Sequence, residues 1–269
     1  FQAPGPDDIF LKASVSNNNP FRGEQIIISY RLYTRIPVTN YSIDKLPAFT
    51  GLWTENIQGG SQTQASIEEL NGIRYNTVEI RRVAVFPQRA GEVRIEPMEV
   101  EASVRLRRPS RQRPGSMLDD FFGGSSFFDS FRTVPHKITS DPVTLNVKPL
   151  PEQNRPDDFS GAVGSFSMNA TVSPQQLRTN DAAHLVVRIE GEGNLRMLEA
   201  PTTDAPMHLE IFEPQINDNI QSGRNGLRGS REFNYLIIPR HSGSHELPQQ
   251  VFTYFDPQRQ EYITKRAGP

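Results

Sequence analysis

The stretch NGIRYNTVEIRRVAVFPQRAGEVRIEPMEVEASV, residues Asn71–Val104, decides the fold of this chain. The Asn-Gly pair that opens it is typical of a two-residue hairpin turn, and a long strand is predicted to follow from Arg74 to Phe86. The side chains of a strand point alternately to its two faces. One interior is therefore predicted to be lined by four aliphatic residues: Val83, Val85, Val93 and Ile95.

The second half of the chain repeats the outline of this stretch. From Asn225 it reads NGLRGSREFNYLIIPRHSGSHELPQQVFTYF, in which Gly243 corresponds to Gly91, and Pro239 to Pro87. Upstream, ATVSPQQLRTNDAAHLVVRIEG from residue 170 corresponds to ASVSNNNPFRGEQIIISYRLYT from residue 13. This self-similarity at a distance of about 150 residues indicates tandem globular domains, because solenoid repeats are much shorter.

The fold class follows from short β-branched and aromatic runs separated by Gly, Pro and Asn, with no helical period longer than about two turns. We expect an all-β protein with two tandem immunoglobulin-like antiparallel β-sandwich domains. The first domain is expected at residues 1–148, a Pro-rich linker at 149–161, and the second domain at 162–269. The last strand of the second domain is expected to be truncated, since no counterpart of PVTLNV (residues 142–147) follows Ile263.

The bulk composition excludes several function classes. A length of 269 residues fits one or two domains, and a net charge of −2 gives no general case for binding nucleic acid. The chain has no cysteine, which rules out a disulfide scaffold, a Cys-based zinc site and a thiol nucleophile. It also lacks an apolar run of membrane-spanning length, so we expect this fragment to be soluble.

The most unusual composition lies in an insertion, RRPSRQRPGSMLDDFFGGSSFFDSFRTVPHK, which replaces a hairpin tip at about residues 107–136 and is predicted to be mobile. An arginine-rich run is followed there by phenylalanines around a Gly-Gly-Ser-Ser hinge. The insertion could dock a partner protein, remain a passive loop or touch a membrane surface. The candidate partner-binding residues are Phe121, Phe122, Phe127, Phe128, Phe131, Arg111 and Arg113.

Other candidate sites are weaker. Trp53 is expected to pack within a sandwich, with a ligand platform as the alternative. His241 and His245 flank a turn, where an extended chain would hold them too far apart for joint metal binding. The sequence shows no G-x-S-x-G elbow and no strand-then-helix unit after Gly191. No catalytic residue, cofactor or metal is predicted.

Several segments together resemble the BatD family, the aerotolerance ("oxygen tolerance") proteins of Bacteroides and relatives. They are the opening ASVSNNNPFRGEQIIISYRLYT, LPAFTGLWTENIQ, NGIRYNTVEIRRVAVFPQRAGEVRIEP, the Arg-rich then Phe/Gly/Ser insertion, PVTLNVKPLPE, RPDDFSGAVGSF and FTYFDPQRQEY. The resemblance spans nearly the whole chain. Its motifs are mostly turn and core positions, which identify the family but carry little chemistry.

The resemblance implies a protein on the periplasmic side of the inner membrane, with a signal peptide and a C-terminal transmembrane helix that this fragment does not contain. It also implies partners: von Willebrand factor A-domain Bat proteins, TPR-containing Bat proteins and a MoxR-type ATPase system. The family has no established catalytic residues. We therefore expect a non-enzymatic scaffold of a membrane-anchored oxygen and stress tolerance complex, which acts by protein–protein interaction. The alternative is an extracytoplasmic glycan- or peptide-binding protein.

Overall fold

The computed structural model of the chain describes residues 3–57, 65–107, 131–201, 203 and 206–268. Its described residues are organised in strands, with one short 3₁₀ helix at Leu195–Met197. The strands of the first half are β1 (Ile9–Val15), β2 (Ile26–Thr34), β3 (Val38–Lys45), β4 (Leu52–Asn56), β5 (Ser66–Leu70), β6 (Ile73–Pro87), β7 (Gly91–Ile95), β8 (Glu99–Arg107), β9 (Phe131–Thr139) and β10 (Val143–Val147).

The strands of the second half also pair mainly antiparallel. They are β11 (Ala162–Ser173), β12 (Ala183–Gly193), β13 (Leu209–Ile211), β14 (Gln215–Gly223), β15 (Gly226–Pro239), β16 (Gln250–Asp256) and β17 (Glu261–Ala267). They form one sheet in the order β13-β15-β12-β11-β16-β17, with β14 paired to β15. Only the start of β11 pairs in parallel, where Ala162 and Val163 lie beside β16.

Three groups of strands enclose the core of the first half. One sheet has the order β1-β2-β6-β4 with β5 on β6, a second has the order β3-β8-β9, and β7 pairs with β10. The four aliphatic residues that were predicted to line an interior are all buried in one cluster, to which all three groups contribute: Val83, Val85, Val93 and Ile95. The prediction of an all-β antiparallel sandwich fold is confirmed.

The Asn-Gly pair forms the predicted hairpin turn between β5 and β6. Asn71 and Gly72 have φ angles of 52° and 78°, the left-handed values that a two-residue turn between twisted strands requires at both positions. Leu70 then pairs with Ile73, and the ladder continues to Ser66 and Thr77. The turn therefore sets the register of this hairpin, as predicted from the sequence.

Matching backbone hydrogen bonds show that the two halves share one plan. Gly23 N donates to Pro87 O at 2.8 Å, and at the corresponding place Asn180 N donates to Pro239 O at 3.0 Å. Three further hydrogen bonds recur in the same way. Glu24 N donates to Phe21 O and Phe21 N to the Glu24 carboxylate, and in the second half Asp181 N donates to Arg178 O and Arg178 N to the Asp181 carboxylate. The third is the bond from Gln88 N to Gly51 O, which corresponds to the bond from Arg240 N to His208 O. The alignment made from the sequence thus holds in three dimensions.

The segment predicted as a linker, residues 149–161, contains no strand but packs against both halves. Leu150 and Phe159 are buried in a cluster with Phe21 of the first half and Val163 and Phe255 of the second. The hydroxyl of Tyr262 in β17 also donates to the carbonyl oxygen of residue 151 at 2.6 Å. The segment is therefore fixed in place by the burial of these side chains and by the Tyr262 hydrogen bond. The two-domain division, at residues 1–148 and 162–269, stays a prediction.

A second contact joins the two halves away from this segment. Leu227 of β15 is buried against Ile57, Ala84 and Phe86 of the first half. The side-chain oxygen of Gln25 accepts a hydrogen bond from Leu227 N at 2.7 Å. Because apolar burial and a backbone hydrogen bond coincide here, we call this cluster with its Gln25 bond the junction.

Candidate interaction site

The insertion leaves the sandwich from the β8–β9 hairpin. These strands pair from Glu99–Thr139 to Arg107–Phe131, so the insertion starts and returns at neighbouring positions. Six of the predicted partner-binding residues lie outside the described residues: Phe121, Phe122, Phe127, Phe128, Arg111 and Arg113. The seventh, Phe131, is the first residue of β9 and lies within the described residues.

Phe131 presents its ring at the base of the insertion. The residue is 49% exposed, and the guanidinium carbon of Arg105 lies 5.5 Å from the ring centroid. A guanidinium over an aromatic face is held there by the charge distribution of the ring. The end of the hairpin therefore offers an apolar surface and a positive charge at one place.

The outer edge of β9 is poorly suited to pairing with a strand from another chain. β9 is an edge strand of the β3-β8-β9 sheet, and Pro135 near its middle has no N–H to donate. Lys137 lies two residues further on and contacts Asp44 of β3 at 2.9 Å, a hydrogen bond that raises the lysine pKa. Proline and lysine on an edge discourage strand addition.

More apolar surface lies on the same sheet. Ile43 in β3 is 42% exposed, and Leu46 just after it is 52% exposed. Single exposed aliphatic residues are normal. Ile43 pairs with Val100, whereas Phe131 pairs with Arg107 at the other end of β8, so these two residues do not extend the surface at the base of the insertion.

Trp53 lies at the junction. Its ring centroid is 5.3 Å from that of Phe86, and Met197 and Ile220 from the second half pack against the same buried cluster. Neither of the two cavities described below includes Trp53 among its lining residues. The indole thus packs against a cluster formed by both halves, and its use as a ligand platform stays a prediction.

An ionic network covers one face of the β2-β6-β5 strands. The Arg31 guanidinium contacts the carboxylates of Glu68 and Glu79, and Arg82 contacts Glu79 at 2.6 Å. The hydrogen bond from Arg82 lowers the pKa of Glu79, while partial burial raises the pKa of Tyr33, whose hydroxyl donates to Glu68 at 2.8 Å. Every charge has an opposite partner, which is the pattern of a structural network.

The same network reaches the second half. Arg82 Nη1 donates to the carbonyl oxygen of Arg224 at 2.7 Å, next to the turn between β14 and β15. Nearby, Arg196 and Glu55 form an ion pair at 3.2 Å between the halves. Polar contacts therefore surround the apolar junction, and they fix its orientation more than its strength.

Three histidines meet at the end of the second half. The ring of His208 lies 5.1 Å from that of His241 and 6.3 Å from that of His245, centroid to centroid. A ring nitrogen of His245 is 2.9 Å from the carbonyl oxygen of His241. Within the described part of the chain, no group of three His, Cys, Asp or Glu residues is arranged to hold a metal ion. Sequence reasoning missed His208 because it lies more than thirty residues upstream.

Two cavities open on the second half. One, of about 750 Å³, lies between the segment Pro174–Thr179 and the segment His241–Leu247. The other, of about 540 Å³, lies between Asp157–Ser160 and Pro248–Thr253. No described helix is both long and apolar enough to cross a membrane.

These features define an all-β sandwich protein whose described surface at the base of the insertion combines the exposed Phe131 ring with the Arg105 guanidinium. Residues 170–267 match a family model described as the BatD DUF11-like domain. The resemblance noted in the sequence is therefore confirmed over those residues. The match links this half of the chain to the Bat aerotolerance-associated proteins.

Comparison with solved structures gives weak similarities. The adhesin InvE of Yersinia pseudotuberculosis aligns with 98% of this chain at 11% identity and a TM-score of 0.23, and the chain spans 59% of that protein's length. The N-terminal periplasmic domain of ScsB from Proteus mirabilis aligns with all of this chain and 95% of its own length, at 9% identity and a TM-score of 0.21. At these TM-scores the alignments do not show a shared fold. No curated protein sequence matches the chain.

Proposed function

We propose that this chain is a non-enzymatic scaffold on the periplasmic side of the inner membrane, within a membrane-anchored Bat complex for oxygen and stress tolerance. It acts by binding other proteins. Its partners are von Willebrand factor A-domain Bat proteins and TPR-containing Bat proteins, linked to a MoxR-type ATPase system. The observation that carries this proposal is the BatD-domain match at residues 170–267.

The surface of the first half supports recognition of a protein. The base of the insertion exposes Phe131 beneath the Arg105 guanidinium. Aromatic residues and arginine are the side chains most enriched at energetically important interface positions. We propose that residues 107–133 dock a partner and that this surface forms the base of the contact.

The test is a variant in which a short turn replaces the insertion. The β16–β17 hairpin supplies the turn, because Asp256 pairs with Glu261 there as Arg107 pairs with Phe131 in β8–β9. The Asp256 carboxylate also accepts hydrogen bonds from the backbone N–H groups of residues 258 and 259, at 2.9 and 3.1 Å. The variant replaces residues 108–130 with Pro-Gln-Arg-Gln and carries Arg107→Asp. It is expected to fold with an unchanged thermal midpoint, since loop length affects stability only slowly.

Association is then measured with a separately purified A-domain partner by pull-down and titration. We expect the variant to bind at least tenfold more weakly than the parent chain, about 1.4 kcal/mol. A second variant keeps the insertion at full length but changes Phe121, Phe122, Phe127 and Phe128 to Ser. It separates the effect of the aromatic rings from that of insertion length, and it should lose the same affinity if the rings make the contact. Unchanged binding by the turn variant would exclude the insertion as the docking segment.

A further inference from the structure

The larger cavity of the second half is bounded by two segments that run along its sides. Pro174–Thr179 lies on one side and His241–Leu247 on the other, with Ala183, Leu209 and Ile237 among the residues that line it. The volume is about 750 Å³. We call this groove the strand slot, because a strand fills the corresponding space in the first half.

The internal repeat identifies that counterpart. The matching hydrogen bonds align Gly23 with Asn180 and Pro87 with Pro239, which places residues 17–22 on residues 174–179 and residues 91–95 on residues 243–247. In the first half, the space between these two segments is filled by β10. The strand slot is therefore the position of β10 in the second half.

β10 is bonded on both sides. It pairs antiparallel with β7, from Val143–Ile95 to Val147–Gly91. On its other side, Asn146 N donates to Asn18 O at 2.8 Å, and Lys148 N donates to Pro20 O at 2.7 Å. The first half thus uses the backbone of both segments to hold one strand between them.

In the second half, the corresponding backbone is not part of a sheet. Ser244–Gln249 is assigned to no strand, although all of its residues are described. Backbone N–H and C=O groups are strong hydrogen-bonding groups, and a row of them without a ladder is a template for another strand.

The side chains show the same difference. Val93 and Ile95 of β7 are 3% and 0% exposed beneath β10. Their counterparts His245 and Leu247 alternate in the same way but are only partly buried. Exposed and partly buried side chains thus alternate in this segment as they do in a strand, but no described strand covers its inner face.

The occupant that fits can be described from β10. Its inward residues Val143, Leu145 and Val147 are all buried, and its five residues span about 16 Å. β10 enters its position directly from β9, which ends at Thr139. β17 is the counterpart of β9, since it pairs with β16 as β9 pairs with β8. The strand best placed to enter the slot is thus one joined to the end of β17.

We infer that the strand slot is a strand-acceptor site, filled by an extended segment that continues from β17 with apolar side chains at every second residue. This inference does not rest on the proposed function. It assigns the groove to the completion of the second sandwich by a strand of this protein. A second copy of the chain and a separate partner are the competing occupants.

The test grafts the known strand of the first half onto the second. Residues 140–149, SDPVTLNVKP, are appended after Ala267 in place of residues 268 and 269. Hydrogen exchange is then followed at the amides of residues 244–247. We expect at least tenfold slower exchange at these amides in the grafted chain than in the parent. The control graft carries Asp in place of the valines and the leucine at the positions of Val143, Leu145 and Val147, and it should give no protection.

A second measurement covers the case in which the grafted chain fails to fold. The peptide DPVTLNVKP is added in excess to the parent chain, and the same amides are followed. Protection by this peptide, and none by the Asp-substituted peptide, supports the inference. Absence of protection in both measurements overturns it. A parent chain that sediments as a dimer with residues 244–247 already protected also overturns it, because a second copy is then the occupant.

Discussion

The junction between the two halves gives the sharpest prediction about stability. Leu227 is 1% exposed and packs on Phe86, while its backbone N–H is bonded to Gln25. Leu227→Ala removes the apolar contact and leaves a cavity, because neighbours held by two sheets relax only in part. Buried Leu→Ala changes cost about 2–5 kcal/mol. With a urea slope of about 3 kcal/mol/M, a loss of 3 kcal/mol lowers the midpoint by about 1 M.

The assay can use the only tryptophan in the chain. Trp53 belongs to the same cluster, so its emission reports on the junction during urea unfolding. The matched control is Ile216→Ala on the neighbouring strand β14, where the side chain is 49% exposed and the expected change is below about 0.5 kcal/mol. If Leu227→Ala shifts the midpoint no more than Ile216→Ala does, the two halves are not stabilised by this contact and our description of the junction is wrong.

Two further predictions concern single residues. Burial raises the pKa of Tyr30 to about 12, and the hydroxyl has no hydrogen-bond partner among the described residues. Since the folded pKa lies above the ordinary value of about 10, the contribution of Tyr30 to the unfolding free energy should be constant below pH 10 and fall by about 1.4 kcal/mol per pH unit from 10 to 12. Tyr30→Phe should reduce that slope and at neutral pH be neutral or stabilising by about 1 kcal/mol; a loss above 1 kcal/mol in thermal unfolding would contradict this. Gly191→Ala would place a Cβ 2.0 Å from the carbonyl oxygen of Ser165 on β11, whereas Gly72→Ala meets no atom within 4 Å. We expect Gly191→Ala to be clearly the more destabilising of the two in urea titrations, and equal midpoints would refute that close approach.

The strands were largely predictable because their signals are local. The Asn-Gly turn and the β-branched run after it placed β6 at Ile73–Pro87, close to the predicted 74–86. The alternation of Val83, Val85, Val93 and Ile95 identified the core face without knowledge of the partner strands. Boundaries were less accurate. The insertion was predicted to extend to about residue 136, but β9 begins at Phe131 and pairs with β8 from there.

The candidate sites were only partly predictable. The sequence located the insertion, and its composition pointed to Phe131, yet the Arg105 guanidinium over that ring depends on the pairing of β8 with β9. Likewise, the His208 ring reaches His241 through a chain reversal that no local pattern reveals. The strand slot was anticipated in one respect, since the repeat already aligned residues 243–247 with the β7 segment that β10 covers in the first half.

By itself, the sequence determined the all-β class, the twofold plan and the turn at Asn71-Gly72, because alternation and turn chemistry depend on residues adjacent in the chain. Only the tertiary structure decided that Trp53 packs at a junction with residues from the second half. It also decided that Leu150 and Phe159, in the segment predicted as a linker, are buried against both halves. The open groove beside residues 244–247 is likewise visible only in the tertiary structure. The physical reason is that burial depends on which distant surfaces meet, and many sequences with the same local pattern bring different surfaces together.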